Sequence, residues 1–392
     1  VPATARWEKP QGKRAPLVME KTFTVVPRGV GLVIGCVTFP TWNSYPGLFA
    51  SLATGNAVVV KPHPGAILPL AISVSIAREV LAEAGFARDL VTLVAEEPGG
   101  RVASELAVRP EVGIVDFTGS TEYGTWLEEH ARQAQVYTEK AGVNAVILDS
   151  TDDYAGMLGN LAFSLSLYSG QMCTTPQDLL VPREGVSTPE GRKTVEELGR
   201  DLGAALDRLL GDDAQAAELL GAIVNDDVLS RLETASSGSA GEVVVPSREV
   251  RNPAWPDARV RTPVVVGTAV DSAAYTQECF GPVAFLVTTD STEHSLDILR
   301  RTVTVRGALT ASVYSTDEKV VGAAREAALD AGVALSENLT GGVFVNQSAA
   351  FSDFHATGAN PAANAAFTDA AFVAGRFRVV QSRRHLPAAP TA

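Results

Sequence analysis

Short apolar runs alternate with segments of helical periodicity between residues 57 and 138, and this alternation constrains the fold more than any other feature of the sequence. The run Ala57-Val58-Val59-Val60 is continuous and β-branched, as is typical of a strand buried on both faces of a parallel sheet. In residues 68–84 the apolar side chains recur at helical spacing. Strands separated by single helices predict right-handed crossovers and a doubly wound parallel sheet.

The same alternation resumes after residue 144 and predicts a second α/β unit. Strands are expected at residues 145–148, 242–245, 263–266, 283–287 and 309–314, and helices at residues 154–167, 190–210 and 295–299. A chain of 392 residues exceeds the usual size of one domain. We therefore expect an α/β protein with two doubly wound domains.

The segments before and after the two α/β units lack the alternation of strands and helices. Residues 1–16 are rich in Pro, Lys and Arg without a hydrophobic period, which is typical of a poorly ordered arm. Residues 21–37 are β-branched and interrupted by Pro27-Arg28-Gly29, which indicates a hairpin or two successive strands. A last strand at 376–381 follows both units, and such a strand often pairs in a subunit contact.

Composition and charge disfavour several classes of protein. The net charge is −13 without a Lys/Arg cluster, whereas nucleic-acid-binding proteins present a basic patch to the phosphates. No apolar run approaches the ~18 residues of a membrane span. The three cysteines suit a reducing compartment, and the five histidines lack the spacing of metal ligands. We therefore expect a cytoplasmic protein that binds neither nucleic acid, nor a membrane, nor a metal.

A single cysteine lies in the segment Tyr168-Ser169-Gly170-Gln171-Met172-Cys173-Thr174-Thr175-Pro176. Because Pro176 prevents a helix from running through this segment, we expect the thiol to lie on a loop, where nucleophiles are usually displayed. The segment alone leaves two interpretations open. Cys173 is either a small buried apolar side chain or a reactive thiol with access to solvent.

Three further positions lie where parallel sheets bind ligands. Lys61 follows the strand 57–60 directly, at its carboxyl end. Gly119 and Ser120 connect the strand 112–117 to a helix, whose free N–H groups attract phosphate. Glu139 ends the next strand, where a carboxylate can act as a general base. Each also has a plainer interpretation, as a solvated lysine, an ordinary capped turn and a surface carboxylate.

In combination, these motifs resemble the aldehyde dehydrogenase superfamily. The markers, in order, are Phe39-Pro40-Thr41-Trp42-Asn43, Val60-Lys61-Pro62, Phe117-Thr118-Gly119-Ser120-Thr121-Glu122, Thr138-Glu139-Lys140-Ala141-Gly142, Gly170-Gln171-Met172-Cys173 and Glu278-Cys279-Phe280-Gly281-Pro282. Each motif is weak alone, but the ordered set is specific. Within the superfamily, Phe344-Val345-Asn346-Gln347 and the segment 351–372 are most similar to the PaaN-type proteins of phenylacetate degradation.

The resemblance implies a domain organisation. Residues 32–141 and about 351–375 would form a Rossmann-like dinucleotide-binding domain, and residues 142–350 a catalytic domain that carries Cys173. Residues 14–31 and 376–386 would be strands used in oligomerisation, as a homodimer or homotetramer. Members of the family normally carry a further segment before the first hairpin, so the sequence resembles part of a longer protein.

The resemblance also implies a role for each site residue. Cys173 would attack the aldehyde, Asn43 and the backbone N–H of Cys173 would stabilise the oxyanion, and Glu139 would activate the water that releases the acid. The cofactor, NADP or NAD, would be bound by Trp42, Lys61, Pro64, Gly119, Ser120, Glu278 and Phe280. The implied reaction is oxidation of an aldehyde from aromatic catabolism through a thiohemiacetal and a thioester. Cys36 and Cys279 are expected to be packing residues.

Two departures from the family pattern affect these roles. Pro64 occupies the position of a carboxylate that binds the adenine ribose, and losing that charge would let NADP be accepted at least as well as NAD. Lys140-Ala141 replaces Leu-Gly, and a cation beside Glu139 would weaken it as a base. Transfer of the acyl group to coenzyme A therefore stays open, as does a non-catalytic subunit that keeps the fold.

Overall fold

The computed structural model describes residues 2–140, 142–345 and 370–387. Its strands form three main sheets: an antiparallel sheet of three strands, a sheet of five and a sheet of seven. Each of the two larger sheets carries a separate hydrophobic core on either face. The prediction of two doubly wound α/β units is therefore confirmed.

The chain begins with an antiparallel hairpin, β1 (Thr4–Gln11) and β2 (Arg14–Pro27), which turns at Gly12 with φ +63°. The expectation of a poorly ordered arm was wrong. Residues 1–16 lack a hydrophobic period because β1 is mostly exposed, and this composition suggested disorder. Strand β1 is held in place by its hydrogen bonds to β2, so it needs little apolar burial of its own.

The first α/β unit follows directly. It consists of β3 (Val30–Ile34), α1 (Pro40–Ala53), β4 (Ala57–Lys61), α2 (Ile67–Glu83), β5 (Val91–Leu93), α3 (Val102–Ala107), β6 (Val112–Gly119), α4 (Thr121–His130) and β7 (Gln135–Lys140). The strands are parallel in the order β5-β4-β3-β6-β7. The order reverses between β3 and β6, and ligands of open α/β sheets bind at the carboxyl ends of the strands beside such a reversal.

Helix α1 begins at a proline. Pro40 occupies its first turn, where the missing N–H costs nothing. Asn43 therefore belongs to the first turn of this helix and lines the cleft at the carboxyl edge of the sheet. The helix stops before Gly55, whose φ of +84° suits glycine.

The second unit occupies the middle of the chain. Its main elements are β8 (Ala145–Leu148), α5 (Tyr154–Ser166), β9 (Asp178–Pro182), β10 (Val186–Thr188), β11 (Gly191–Lys193), α6 (Val195–Leu210), α7 (Asp213–Leu219), α8 (Asp226–Ser236), β12 (Glu242–Val245), β13 (Glu249–Val250), β14 (Val260–Arg261), β15 (Val264–Ala269), β16 (Val283–Thr289), α9 (Thr292–Arg306), β17 (Thr310–Tyr314), α10 (Glu318–Ala331) and β18 (Ala334–Glu337). The large sheet has the order β12-β15-β16-β9-β8-β17-β18, and β12 alone among these strands pairs antiparallel.

One helix boundary in this unit differs from the sequence prediction. The helix expected from residue 190 begins at Val195, because Thr194 and Glu197 form a capping box that fixes its first turn. Residues 191–193 instead pair as strand β11 with β10.

The end of the chain returns to the first unit. After a short helix, α11 (Ala370–Ala374), strand β19 (Phe377–Leu386) pairs antiparallel with β2 along the whole of its length. The segments expected at 14–31 and 376–386 thus lie in one sheet, although β3 already starts at Val30 in the neighbouring sheet. A role in oligomerisation stays a prediction, and residues 351–369 lie outside the described residues.

Arg376, between α11 and β19, is fully buried. Its guanidinium donates to both carboxylate oxygens of Asp116 on β6, at 2.7 and 2.5 Å, and to the Ser51 hydroxyl at 2.8 Å. A Cβ on Gly47 of α1 would lie 2.5 Å from the Asp116 carboxyl carbon, so glycine is needed there for this pair to fit. One ion pair therefore joins the last residues of the chain to the centre of the first sheet.

Helix α2 presents an apolar stripe to solvent. Leu68, Ile72, Ile76 and Val80, spaced four residues apart, are each at least half exposed, while Leu70 and Val74 pack beneath. Within the described residues, Pro64–Glu83 is the segment whose length and composition would suffice to cross a bilayer, and only 11% of it is buried. Length and composition are weak evidence, so the expectation of no membrane span stays a prediction.

We expect Arg376→Met to lower the free energy of unfolding by about 3–5 kcal/mol, because Asp116 would keep a buried, unpaired charge. Urea denaturation followed by circular dichroism measures the change. Arg384→Met is the matched control: its ion pair with Glu20 is largely exposed, and such pairs contribute at most about 1 kcal/mol. Equal losses in the two variants would contradict the structural importance of the buried pair.

Candidate active site

A cleft of about 520 Å³ lies at the carboxyl edge of the five-stranded sheet. One wall comes from the first unit, through the segment after β3, the end of β4 and the turn between β6 and α4. The other wall comes from the second unit, through α8, Glu278, Phe280 and Cys173. The cleft therefore lies at the strand-order reversal and is lined by both units.

The loop that carries Cys173 is held in an uncommon backbone conformation. Tyr168, Ser169 and Gly170 have φ values of 53°, 54° and 65°. The Ser169 hydroxyl donates to the carbonyls of Gly221 and Arg261, which keeps the turn in place. A Cβ on Gly170 would lie 2.4 Å from the Gly281 carbonyl oxygen, so this position requires glycine. Such strained turns persist where surrounding contacts over-determine them.

The side chain of Asn144 holds the same loop in place through hydrogen bonds to its backbone. Its amide nitrogen donates to the carbonyls of Cys173 and Thr175, both at 2.8 Å. Its oxygen accepts from the backbone N–H groups of Leu309 and Thr310, at 2.9 and 3.1 Å. The residue is buried and its polar atoms are satisfied. The sequence motifs did not indicate this role of Asn144, although a single amide residue directly before a buried apolar strand could have indicated it.

Two of the three residues with proposed catalytic roles, Asn43 and Cys173, line this cleft, and the third, Glu139, is buried next to Asn43. The Asn43 amide nitrogen donates to the Glu139 carboxylate at 3.0 Å, and the Cys36 thiol contacts the Asn43 oxygen at 3.5 Å. The charge of Glu139 also acts on the thiol of Cys173. The carboxylate therefore lies close to both the amide and the thiol.

The surroundings keep the Cys173 thiol protonated. Burial raises the pKa of Cys173 well above its ordinary value, and the negative charge and hydrogen bond of Glu139 raise it further. Burial also raises the pKa of Cys36. Formation of a thiolate at Cys173 therefore needs a proton acceptor at the moment of attack, and Glu139 is the carboxylate whose charge acts on the thiol.

Five of the residues expected to bind a cofactor line the cleft: Lys61, Gly119, Ser120, Glu278 and Phe280. Ser120 caps α4, where its hydroxyl accepts from the N–H of Tyr123. Burial raises the pKa of Glu278 to about 7, partly offset by the charge of Arg231. The Arg231 guanidinium also donates to the Phe280 carbonyl at 3.1 Å, so it holds the segment that follows Glu278.

Trp42 and Pro64 are placed differently. Neither is among the described residues that line the cleft. Trp42 is 43% exposed on the first turn of α1, and Pro64 opens a short helical turn, Pro64–Ala66, that leads into α2. The expectation that these two residues contact a cofactor has no support in the geometry of the described chain.

Lys61 was expected to reach a ligand or to lie in solvent, but its side chain is buried. Its ammonium forms an ion pair with Glu96, and both side chains are less than 10% exposed. Glu96 follows β5 and also lines the cleft. Pro64 occupies the place of the family's usual carboxylate, as the sequence indicated, but the loop after the neighbouring strand supplies a carboxylate to Lys61.

Lys140 pairs with a carboxylate other than Glu139. The Lys140 ammonium lies 2.8 Å and 3.0 Å from the two carboxylate oxygens of Glu128 on α4. Since successive residues of a strand point to opposite faces, this cation lies across β7 from the Glu139 carboxylate. Ala141, the other altered residue, lies outside the described residues.

A partly buried thiol, a carboxylate and an amide therefore lie close together at the carboxyl edge of the five-stranded sheet. The model of the Aldehyde dehydrogenase family matches residues 3–358. Because this match covers most of the chain, the protein belongs to the aldehyde dehydrogenase family.

Known relatives agree with this assignment. An NAD-dependent aldehyde dehydrogenase from Burkholderia multivorans, known from a crystal structure, is 60% identical with a TM-score of 0.94, and the match covers 99% of this chain and 70% of that one. The 2-aminomuconic 6-semialdehyde dehydrogenase of a Pseudomonas species is 28% identical over 305 residues, 74% of this chain. The chain spans 58% of the length of that relative.

The fold extends to more distant structures. A 1-pyrroline-5-carboxylate dehydrogenase from Thermus with bound NAD has a TM-score of 0.71 at 22% identity, with 94% of this chain and 68% of that chain covered. At this identity the likeness concerns the fold alone.

We expect Glu139→Gln to speed alkylation of Cys173 by iodoacetamide about three- to tenfold near pH 8, because removing the carboxylate charge lowers the pKa of the thiol. Mass spectrometry of the Cys173 peptide, with the Cys279 peptide as internal reference, measures the rate. Glu122→Gln, an exposed substitution of the same charge on α4, is the control. Unchanged alkylation in Glu139→Gln would contradict the contact between Glu139 and the thiol.

Proposed function

We propose that this chain contains the catalytic core of an NAD(P)-dependent aldehyde dehydrogenase that oxidises an aldehyde to a carboxylic acid. The observation that supports this most directly is that Asn43 and Cys173 line one cleft while the Glu139 carboxylate behind it accepts a hydrogen bond from Asn43 and acts electrostatically on the Cys173 thiol. A nucleophile, a proton acceptor and an amide donor are the parts that acyl chemistry on a thiol requires.

The first step proposed is attack of Cys173 on the aldehyde carbonyl carbon. As the bond from Sγ to carbon forms, the thiol proton passes to Glu139 and the carbonyl oxygen becomes an alkoxide. Two donors are available for that oxygen, the Asn43 amide and the backbone N–H of Cys173. Since Asn43 donates to Glu139 before substrate arrives, protonation of Glu139 would weaken that bond and free the amide for the oxyanion.

A nicotinamide cofactor fits the second part of the cleft. When bound, it supplies the acceptor for the hydride that leaves the substrate carbon. Gly119 and Ser120 stand at the amino end of α4, where backbone N–H groups favour phosphate, and Glu278 offers acceptors to a ribose. The residues present thus suit a dinucleotide in chemistry and in placement.

Release of the acid is proposed to use water activated by Glu139. Once the hydride has left the substrate carbon, a thioester joins the acyl group to Cys173, and Glu139 returns to its ionised form by giving the thiol proton to solvent. Glu139 then removes a proton from the water that attacks the thioester, and the carbon–sulfur bond breaks as the acid leaves and the Cys173 sulfur takes up a proton. The pairing of Lys140 with Glu128 favours this reading over transfer to coenzyme A, because the nearest cation is engaged away from the base.

The finer assignment is to an aldehyde from aromatic catabolism, as in the PaaN-type proteins. It rests on the motifs near the end of the chain and on the likeness to the Pseudomonas enzyme named for 2-aminomuconic 6-semialdehyde. We also propose a cytoplasmic homo-oligomer in which β2 and β19 take part in the subunit contact.

The activity is tested by the growth of reduced-nicotinamide absorbance with aliphatic, aromatic and semialdehyde substrates. We expect turnover that Cys173→Ala abolishes, and a product that is the free acid whether or not coenzyme A is present. A rate that depends on added coenzyme A would favour the acylating alternative. A wild type inactive with every aldehyde, and with Cys173 no more reactive to iodoacetamide than Cys279, would favour the non-catalytic alternative.

We expect nucleotide affinity to rise between about pH 6 and about pH 8, since Glu278, whose pKa is raised to about 7, must be ionised to accept hydrogen bonds from a ribose. Below this range the Glu278 carboxyl is protonated, and above it the group is a fully ionised carboxylate that can accept hydrogen bonds from the ribose. Calorimetric titration with NAD at several pH values measures the trend, and Glu278→Gln should flatten it. A pH-independent affinity of the wild type would contradict this role.

A further inference from the structure

We infer that Glu96 makes the cleft selective for NAD over NADP, by accepting a hydrogen bond from the adenine ribose 2′-hydroxyl and by repelling a 2′-phosphate at the same place. This inference rests on the proposed function, because it needs a dinucleotide in the cleft. It replaces the expectation, drawn from Pro64, that NADP is accepted at least as well.

The sheet topology places Glu96 at the edge of the sheet that lines the cleft. Strand β5 pairs in parallel with β4, with Val60 opposite Leu93. The loop after β5 therefore leaves the same edge of the sheet as Lys61, and the glycine-containing turn before α4 leaves that edge on the far side of β4 and β3. In dinucleotide-binding folds, an acidic side chain at this edge hydrogen-bonds the ribose 2′-hydroxyl.

The Glu96 carboxylate is fixed before any ligand arrives. One oxygen pairs with the Lys61 ammonium and the other accepts from the N–H of Val102 at 2.8 Å. A Cβ on Gly100 would lie 2.8 Å from that second oxygen, so glycine leaves room for the carboxylate. A carboxylate has about four acceptor sites, and these two contacts leave capacity for a ribose hydroxyl.

The charges around Glu96 disfavour a 2′-phosphate. Among the described residues that line the cleft, Lys61 and Arg231 carry full positive charges. Lys61 is neutralised by Glu96, and Arg231 is held at the Phe280 carbonyl on the opposite wall. A phosphate near Lys61 would therefore meet a buried carboxylate at close range, and like charges repel strongly where water is largely excluded.

Glu97 provides a matched control on the same loop. It is the next residue, carries the same charge and is exposed, and it does not line the cleft among the described residues. Glu97→Gln therefore changes the net charge as Glu96→Gln does, but away from the proposed ribose contact.

The test is calorimetric binding of NAD and of NADP to the wild type, Glu96→Gln and Glu97→Gln. We expect the wild type to bind NAD at least about 30-fold more tightly than NADP. Glu96→Gln should reduce this ratio about tenfold or more, with weaker NAD and tighter NADP, because a glutamine amide donates to phosphate. Glu97→Gln should keep the ratio of the wild type.

Each outcome separates the inference from the proposed function. Equal affinities for the two nucleotides in the wild type, or an equal loss for both in Glu96→Gln, would overturn the selective role while leaving the dehydrogenase assignment intact. An equal loss of affinity for both nucleotides in Glu96→Gln would mean that Glu96 only holds Lys61 and the start of α3 in position. Failure of the folded wild type to bind either nucleotide would overturn both.

Discussion

The site depends on one buried amide, the side chain of Asn144. It joins the loop of the nucleophile to the start of β17 through four backbone hydrogen bonds, while its own residue leads into β8. The loop around Cys173, the start of β17 and the start of β8 are distant in sequence, and Asn144 fixes their positions relative to one another. Hydrogen bonds from a buried side chain to backbone are costly to leave unmade, so the loop has little freedom to relax. The positive φ values at Tyr168 and Ser169 are tolerated because this frame holds the turn on one side and Ser169 anchors it on the other.

The side chains of Asn43, Glu139 and Cys173, which lie near the loop that Asn144 holds, also affect one another. Glu139 accepts a hydrogen bond from the Asn43 amide, and its negative charge helps to keep the Cys173 thiol protonated. Under the proposed mechanism, proton transfer from the thiol to Glu139 would weaken the bond to Asn43, because a neutral carboxyl is a poorer acceptor than a carboxylate. Activation of the thiol and release of the amide would then be coupled through a single proton.

The sequence predicted many of the elements and proposed most of the candidate site. Periodicity predicted strands in both sheets, although not β9 and β18, and ordered motifs indicated Cys173, Glu139, Asn43 and Lys61, whose roles stay predictions. The sequence failed where the partner is distant in the chain. Nothing near Lys61 in sequence indicates Glu96, which reaches it only because β4 and β5 are neighbours. Nothing near Lys140 indicates Glu128, which depends on how α4 packs on β7. The β1 hairpin was missed for the same reason, since its stability comes from pairing and not from composition.

The ion pair of Arg376 with Asp116 also sets an order of events in folding. Asp116 lies in the middle of the first sheet, yet its partner is 260 residues later in the chain. Until that arginine arrives, the first unit must hold an unpaired carboxylate in its core or stay loosely packed around it. Domains usually fold in the order in which they are synthesised. Here the unit translated first is completed last, so the five-stranded sheet reaches its final packing only after the second unit has been made.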